Sequence, residues 1–281
     1  MNETMDGPSK KELKSRPAVV CLSGGLDSTA LLIRLLDQKR RVYGVSFDYG
    51  QKHRLELQRL QDNLAYLAEN GLQVDWHLVD LSSLSLLLHS ALIDTDWDVP
   101  TGHYEQANMR ATVVPNRNAI FASIAYAYAL SIYSRTESQI DLCLGVHSGD
   151  HAIYPDCRPE FYRAIHEAFS IGNWDSENIS LYLPYLESDK SMILRDAEGS
   201  CGRLGLDFDT IFRNTCTSYQ PDEHGRSHGM TGSDVERVLA FYQLGRRDPI
   251  DYHLPWDEVL SQALQLESEF KESDSESSGG A

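Results

Sequence analysis

The chain has 281 residues, 41% of them hydrophobic, enough for a sizeable core in one large domain or a domain with a small appendage. A formal charge of −17 argues against a global grip on a nucleic-acid backbone, because proteins that hold one present a basic face. No run reaches the roughly 18 apolar residues of a membrane helix and no apolar leader opens the chain; five scattered cysteines without a CxxC pair fit a reducing cytoplasmic setting.

Residues 1–16 are polar and read as a mobile arm. "AVVCLS", from Ala18, is a continuous apolar run of the kind found in a strand covered on both faces. "STALLIRLLDQ" then has helical spacing. "RVYGVSFDYG" reads as a second strand, and "HRLELQRLQDNLAYLAEN" as an amphipathic helix closed by Gly71. "LQVDWHLVDL" is a third strand, "NRNAIFASIAYAYALSIYS" a long apolar helix, and "IDLCLGV" a fourth strand. This alternation predicts an α/β fold with a parallel sheet over residues 17–205. A helical C-terminal part is expected over 206–266, followed by a disordered acidic tail over 267–281. Ligands of such sheets sit at the carboxyl ends of the strands.

The first strand runs into "SGGLDS", Ser23 to Ser28. Gly24 and Gly25 allow a sharp turn and a close approach to a ligand. The helix that follows turns unpaired N–H groups and its positive dipole end toward the turn, which makes an anion site. Ser23 and Ser28 add hydroxyls. Asp27 or Ser28 could instead serve only as a helix N-cap. The pattern is neither GxxxxGK[ST] nor GxGxxG.

SGGLDS resembles the SGGxDS loop of the ATP pyrophosphatases, which cleave ATP between the α and β phosphates. With "SFDYGQKH" (Ser46–His53), "TVVPNRN" (Thr112–Asn118), "YPDCRPEF" (Tyr154–Phe161), "TCTSY" (Thr215–Tyr219) and "RVLAF" (Arg237–Phe241), it is similar to the QueC family, the 7-cyano-7-deazaguanine synthases. The resemblance spans about Ala18 to Tyr252. It implies that ATP and Mg²⁺ are used to adenylate the carboxylate of 7-carboxy-7-deazaguanine. Ammonia then gives the amide, and a second ATP-driven step gives the nitrile. It also implies a dimer.

Residue by residue, the resemblance places ATP phosphates on Ser23, Gly24, Gly25, Asp27 and Ser28, and adenosine beside Ser46, Phe47 and Asp48. Lys52 could reach phosphate or be solvated. Two anions must meet in line, so cations are needed; Arg117, Arg158 and Lys190 are the candidates, any of which could instead be an ordinary ion pair. The base offers N–H donors that Asp150, Asp156 and Glu160 could read. The family shows Gly where this chain has Asn116.

The family also carries a structural zinc held by four cysteines, and here those positions fall on Ser218, His228, Thr231 and Asp234. Ser and Thr are poor Zn²⁺ ligands, so zinc is expected to be absent, with packing in its place. Cys216, His224, His228 and Asp234 could form a substitute set. Zinc loss raises a second reading: a branch of the family, in antiphage systems, joins the deazaguanine to a protein amine, and an N-terminal amine is the expected acceptor. A third reading is a non-catalytic nucleotide-binding subunit, against which the intact SGGLDS argues.

Overall fold

The computed structural model describes residues 16–52, 55–94, 96–100, 107–147, 149, 154–218, 222 and 225–278. The expected arm, apart from Arg16, lies outside the described residues. So do Asp150, His53, Tyr219 and His224.

Five strands pair in parallel in the order β3-β2-β1-β4-β5: β1 (Ala18–Cys21), β2 (Val42–Asp48), β3 (Val74–Asp80), β4 (Ile140–Cys143) and β5 (Ile179–Tyr182). Ala18 lies opposite Val42 on one side and Asp141 on the other. Period-two alternation splits β1 between two cores. Ala18 and Val20 pack with helix α1 (Leu26–Asp37), while Val19 packs with helix α3 (Arg117–Thr136). Both faces are covered, which is why the run is apolar throughout.

The chain reverses its direction of strand addition between β1 and β4. That switch point opens a crevice at the carboxyl ends, where α1 and the residues after β4 converge. Helix α2 (Leu55–Glu69) follows β2, and α4 (Pro159–Gly172) leads to β5. Strand β5 was not expected from the sequence. Four residues followed by Leu183 and Pro184 give little periodicity to read.

The expected helical C-terminal part is present. Helix α5 (Lys190–Leu204) packs on α1, and α6 (Phe208–Arg213) and α7 (Gly232–Leu244) complete that layer. Arg237, fully buried, ties it together. Its Nε and Nη2 donate to the two oxygens of Asp248 at 2.6 and 2.9 Å, and Nη1 donates to Thr215 and Thr217 at 2.7 and 2.9 Å. The acidic end corrects an expectation: helix α8 (Trp256–Ser278) runs through most of it. Its apolar stripe, Val259 and Ala263, is buried against α7. Glu267 pairs with Lys271 one turn on, a spacing the sequence offered. Among the described residues, no helix is long and apolar enough to cross a membrane.

Candidate active site

The turn after β1 is built as a cradle. Gly24 has φ +85°, and a Cβ there would overlap the Glu56 carbonyl, so only glycine fits. Gly25, not Asp27 or Ser28, is the N-cap of α1, and no side chain caps it. The capping alternative is thereby set aside. Ser28 is held inside the turn: its Oγ accepts from the Ser23 N–H at 3.2 Å and lies 3.1 Å from Ser23 Oγ. Gly25 N–H donates to Ser23 Oγ at 3.2 Å. A Cβ at Gly145, after β4, would sit 3.1 Å from the Asp27 carbonyl, so β4 abuts the start of α1.

One pocket continues from this turn. The end of it at the turn carries Ser23, Gly25, Asp27, Ser28, His147, Lys190 and Glu236. Lys190, the first residue of α5, is 5% exposed, and its Nζ lies 2.5 Å from Glu236 Oε2 and 3.7 Å from Asp27 Oδ2. His147 is buried beside it, with Nε2 3.7 Å from Asp27 Oδ2 and Nδ1 3.6 Å from Glu236 Oε1. Nδ1 accepts from the Gly149 N–H at 3.1 Å, which leaves Nε2 to carry the proton. Asp27 Oδ1 is buried and has no hydrogen-bond partner. A buried acceptor of this kind is rare unless a ligand completes it.

The other end is aromatic. Phe47 stacks on Phe121 with centroids 4.2 Å apart and planes 11° apart, and Tyr49, Tyr154, Asn118 and Arg117 complete the wall. Glu56, in the first turn of α2, faces this space. Gln51 orients it: the Gln51 carbonyl accepts the Tyr49 N–H at 3.0 Å, so its amide donates to Glu56 Oε1 at 3.1 Å. Burial pushes the Glu56 carboxyl up to about 7, with Arg117 and Gln51 opposing that shift. A carboxyl whose folded value is raised stabilises the fold below its ordinary value of 4.5, and loses that contribution as pH climbs to about 7. Glu56→Gln should therefore gain thermal stability relative to the parent as pH rises across that window. Melting curves at pH 5 and pH 8 check it; an unchanged difference rules it out.

Among the expected site residues, Ser23, Gly25, Asp27, Ser28, Phe47, Arg117 and Lys190 line this pocket, and Gly24 supports it from behind. Others do not. Ser46 is buried and spent on structure: its hydroxyl donates to the Leu22 carbonyl at 2.5 Å and accepts from Trp76 Nε1 at 2.8 Å. Lys52 Nζ donates to the Trp97 carbonyl at 2.5 Å. Arg158 and Glu160 are exposed, and the turn at Pro155–Cys157 directs Cys157 inward, leaving Asp156 off the lining. Asn116 has φ +58°, a left-handed position that Asn tolerates better than most residues; this explains Asn where the family has Gly.

Sequence reasoning missed His147, Glu56 and Glu236. His147 lies just past β4, so the strand-end rule alone pointed at it. Glu236 had no local signal, since a Glu on a C-terminal helix reads as surface.

The positions matching the family's zinc cysteines carry a different device. The Asp234 carboxylate is 1% exposed and accepts four hydrogen bonds: Thr231 Oγ1 at 2.6 Å, Ser227 Oγ at 2.8 Å, Ser218 Oγ at 3.2 Å and the Thr231 N–H at 3.2 Å. His228 is exposed beside His253, 5.1 Å between ring centroids. The Cys216 thiol is pushed up to about 12 by burial, which disfavours a thiolate ligand. Three hydroxyls at these positions are committed to one carboxylate, and hydroxyls are poor ligands for zinc.

A parallel five-stranded sheet with an SGGLDS cradle at its switch point is a nucleotide-binding α/β fold of the ATP-pyrophosphatase type. Within that class, the family described as "Queuosine biosynthesis protein QueC" matches residues 17–245, and the chain belongs to this family of enzymes. The 7-cyano-7-deazaguanine synthase 1 of Colwellia psychrerythraea is 40% identical over 234 residues, 83% of this chain and 97% of the relative. The 7-cyano-7-deazaguanine synthase of Methanoregula boonei is 41% identical over 84% of this chain and 98% of its own length.

Proposed function

We propose that this enzyme adenylates the carboxylate of a 7-deazaguanine with ATP and passes the acyl group to ammonia, giving the amide; a second ATP adenylates the amide oxygen, which leaves with AMP as the nitrogen gives up its two protons to form the nitrile. The observation that carries this reading is the single pocket: a phosphate cradle with Lys190 and Asp27 at one end continues into an aromatic end with Arg117 and Glu56. Similarity to 7-cyano-7-deazaguanine synthases over nearly their full length supports the substrate class.

A carboxylate is a poor electrophile until one oxygen becomes a leaving group. Its oxygen attacks the α-phosphorus of ATP, the bond to the β-phosphate breaks, and pyrophosphate departs. Ammonia then attacks the acyl carbon and AMP leaves with the bonding oxygen. The N–H groups of the first turn of α1, with Ser23, hold phosphate oxygens. Lys190 stabilises the charge gathering on pyrophosphate, and Arg117 neutralises the incoming carboxylate. Mg²⁺ fits this site: the orphaned Asp27 Oδ1 would hold it, as one carboxylate beside substrate phosphates commonly does. When bound, it supplies charge neutralisation at the phosphates. Phe47 and Phe121 present flat apolar faces to a base.

The test is incubation with ATP, Mg²⁺, 7-carboxy-7-deazaguanine and ammonium. Pyrophosphate release that depends on the deazaguanine, followed by nitrile, is expected. No such release overturns the reading. Release followed by a mass gain on a protein, with no nitrile, would transfer it to the conjugating branch.

A further inference from the structure

Glu236 is absent from any motif that marks the site, yet it makes the closest contact to Lys190. We propose that Glu236 is a positioning residue that holds Lys190 over the phosphate cradle, and that the Asp234 knot fixes where Glu236 stands. The inference rests on the nucleotide reading above.

Lys190 is a long, flexible side chain, and a buried ammonium is costly unless paired. Among the described residues, Asp27 and Glu236 face it with their carboxylates. Asp27 belongs to the cradle and stands at 3.7 Å; Glu236 comes from α7 and stands at 2.5 Å. The shorter contact sets the ammonium's place, leaving Asp27 Oδ1 for a ligand. His147 and Gly149 border Glu236 in turn. His147 Nδ1 is 3.6 Å from Glu236 Oε1, and the absence of a side chain at Gly149 leaves room for that oxygen.

Glu236 lies one turn into α7. The start of that helix is set by the knot: Thr231 is its N-cap, and Thr231 and Asp234 form a reciprocal capping box. Ser218 and Ser227 tie the same carboxylate to the two preceding segments. Ser218 and Ser233, on either side of the knot, both line the pocket. The hydroxyl–carboxylate knot therefore aims α7 at the active site, a task that needs angular precision of the kind a metal clamp would give.

The test compares the parent, Glu236→Gln and Glu236→Asp in substrate-dependent exchange of labelled pyrophosphate into ATP, with ATP binding measured by calorimetry. Glu236→Gln keeps the shape and removes the charge that fixes Lys190. A tenfold or larger fall in kcat is expected, with the KM for ATP within about threefold; the melting temperature falls as the ammonium loses its nearest partner, while the protein stays folded at the assay temperature. Glu236→Asp should recover part of that loss, since the charge returns one methylene short. Parent-like kcat in Glu236→Gln overturns the inference, as does a loss confined to KM or to stability. A parent that binds ATP but shows no exchange would count against the adenylation reading instead, and Lys190 placement would then be judged by the reactivity of its amine toward an acylating reagent, read by peptide mass: labelling of Lys190 at the parent rate in Glu236→Gln overturns it.

Discussion

Lys190→Met should lower deazaguanine-dependent pyrophosphate release by 100-fold or more. Methionine keeps most of the stem's volume and removes the charge. The ammonium sits between Asp27 and Glu236 at the edge of the phosphate cradle. Charge builds on the leaving pyrophosphate as the bond to the α-phosphorus breaks, and a preorganised cation there acts on the transition state more than on bound ATP. Removing one group of this type costs about 2.7–4 kcal/mol, or 10²–10³ in rate. ATP should still bind, because the α1 N–H groups and Ser23 remain. Steady-state release assays and calorimetric ATP binding separate the two effects. A parent rate in Lys190→Met would show that the lysine is structural.

Asp234→Ala should be the most destabilising single change in the C-terminal layer, while chelators leave the parent's melting temperature untouched. The carboxylate accepts from Ser218, Ser227 and twice from Thr231, all of them buried residues. Deleting it strands several donors, each at about 1–3 kcal/mol, so a loss on the order of 3 kcal/mol or more follows. Asp234→Asn should cost less, because one amide oxygen still accepts. A structural zinc would reverse the pattern: chelation would unfold the protein, and elemental analysis would find about one zinc per chain. Thermal melts with and without chelator decide between them.

The parts of the site that depend on local chain geometry were legible in the sequence. SGGLDS announces its turn because two glycines, a strand before and a helix after leave little else it could form. Arg117 opens the long apolar helix that the sequence marks, and Lys190 opens a helix that the sequence reading did not delimit. Legibility failed where a polar residue had two uses. Ser46 stands in the right strand, but its hydroxyl stitches β1 to the Trp76 ring of β3. Lys52 follows the right motif, but the Trp97 carbonyl takes its ammonium. Asp156 and Glu160 belong to a specific motif whose inward members are Tyr154 and Cys157. Glu236 and His147 could not be paired from sequence, because nothing local states that α7 packs beside the end of β4. The acidic end misled for another reason: its own residues offer little apolar pattern, and the helix that runs into it is anchored earlier, at Val259 and Ala263.

The Gly24 carbonyl accepts the Cys216 N–H at 3.0 Å. A turn between the first strand and first helix is thus closed by a residue from the last quarter of the chain. As the polypeptide leaves the ribosome, β1, α1 and β2 can pair early, but the cradle stays unlatched until Cys216 has been made and docked. Contacts of such wide sequence separation form late and slowly. The first turn of the fold is therefore among the last to be fixed, and a chain that ends before Cys216 lacks the bond that closes it.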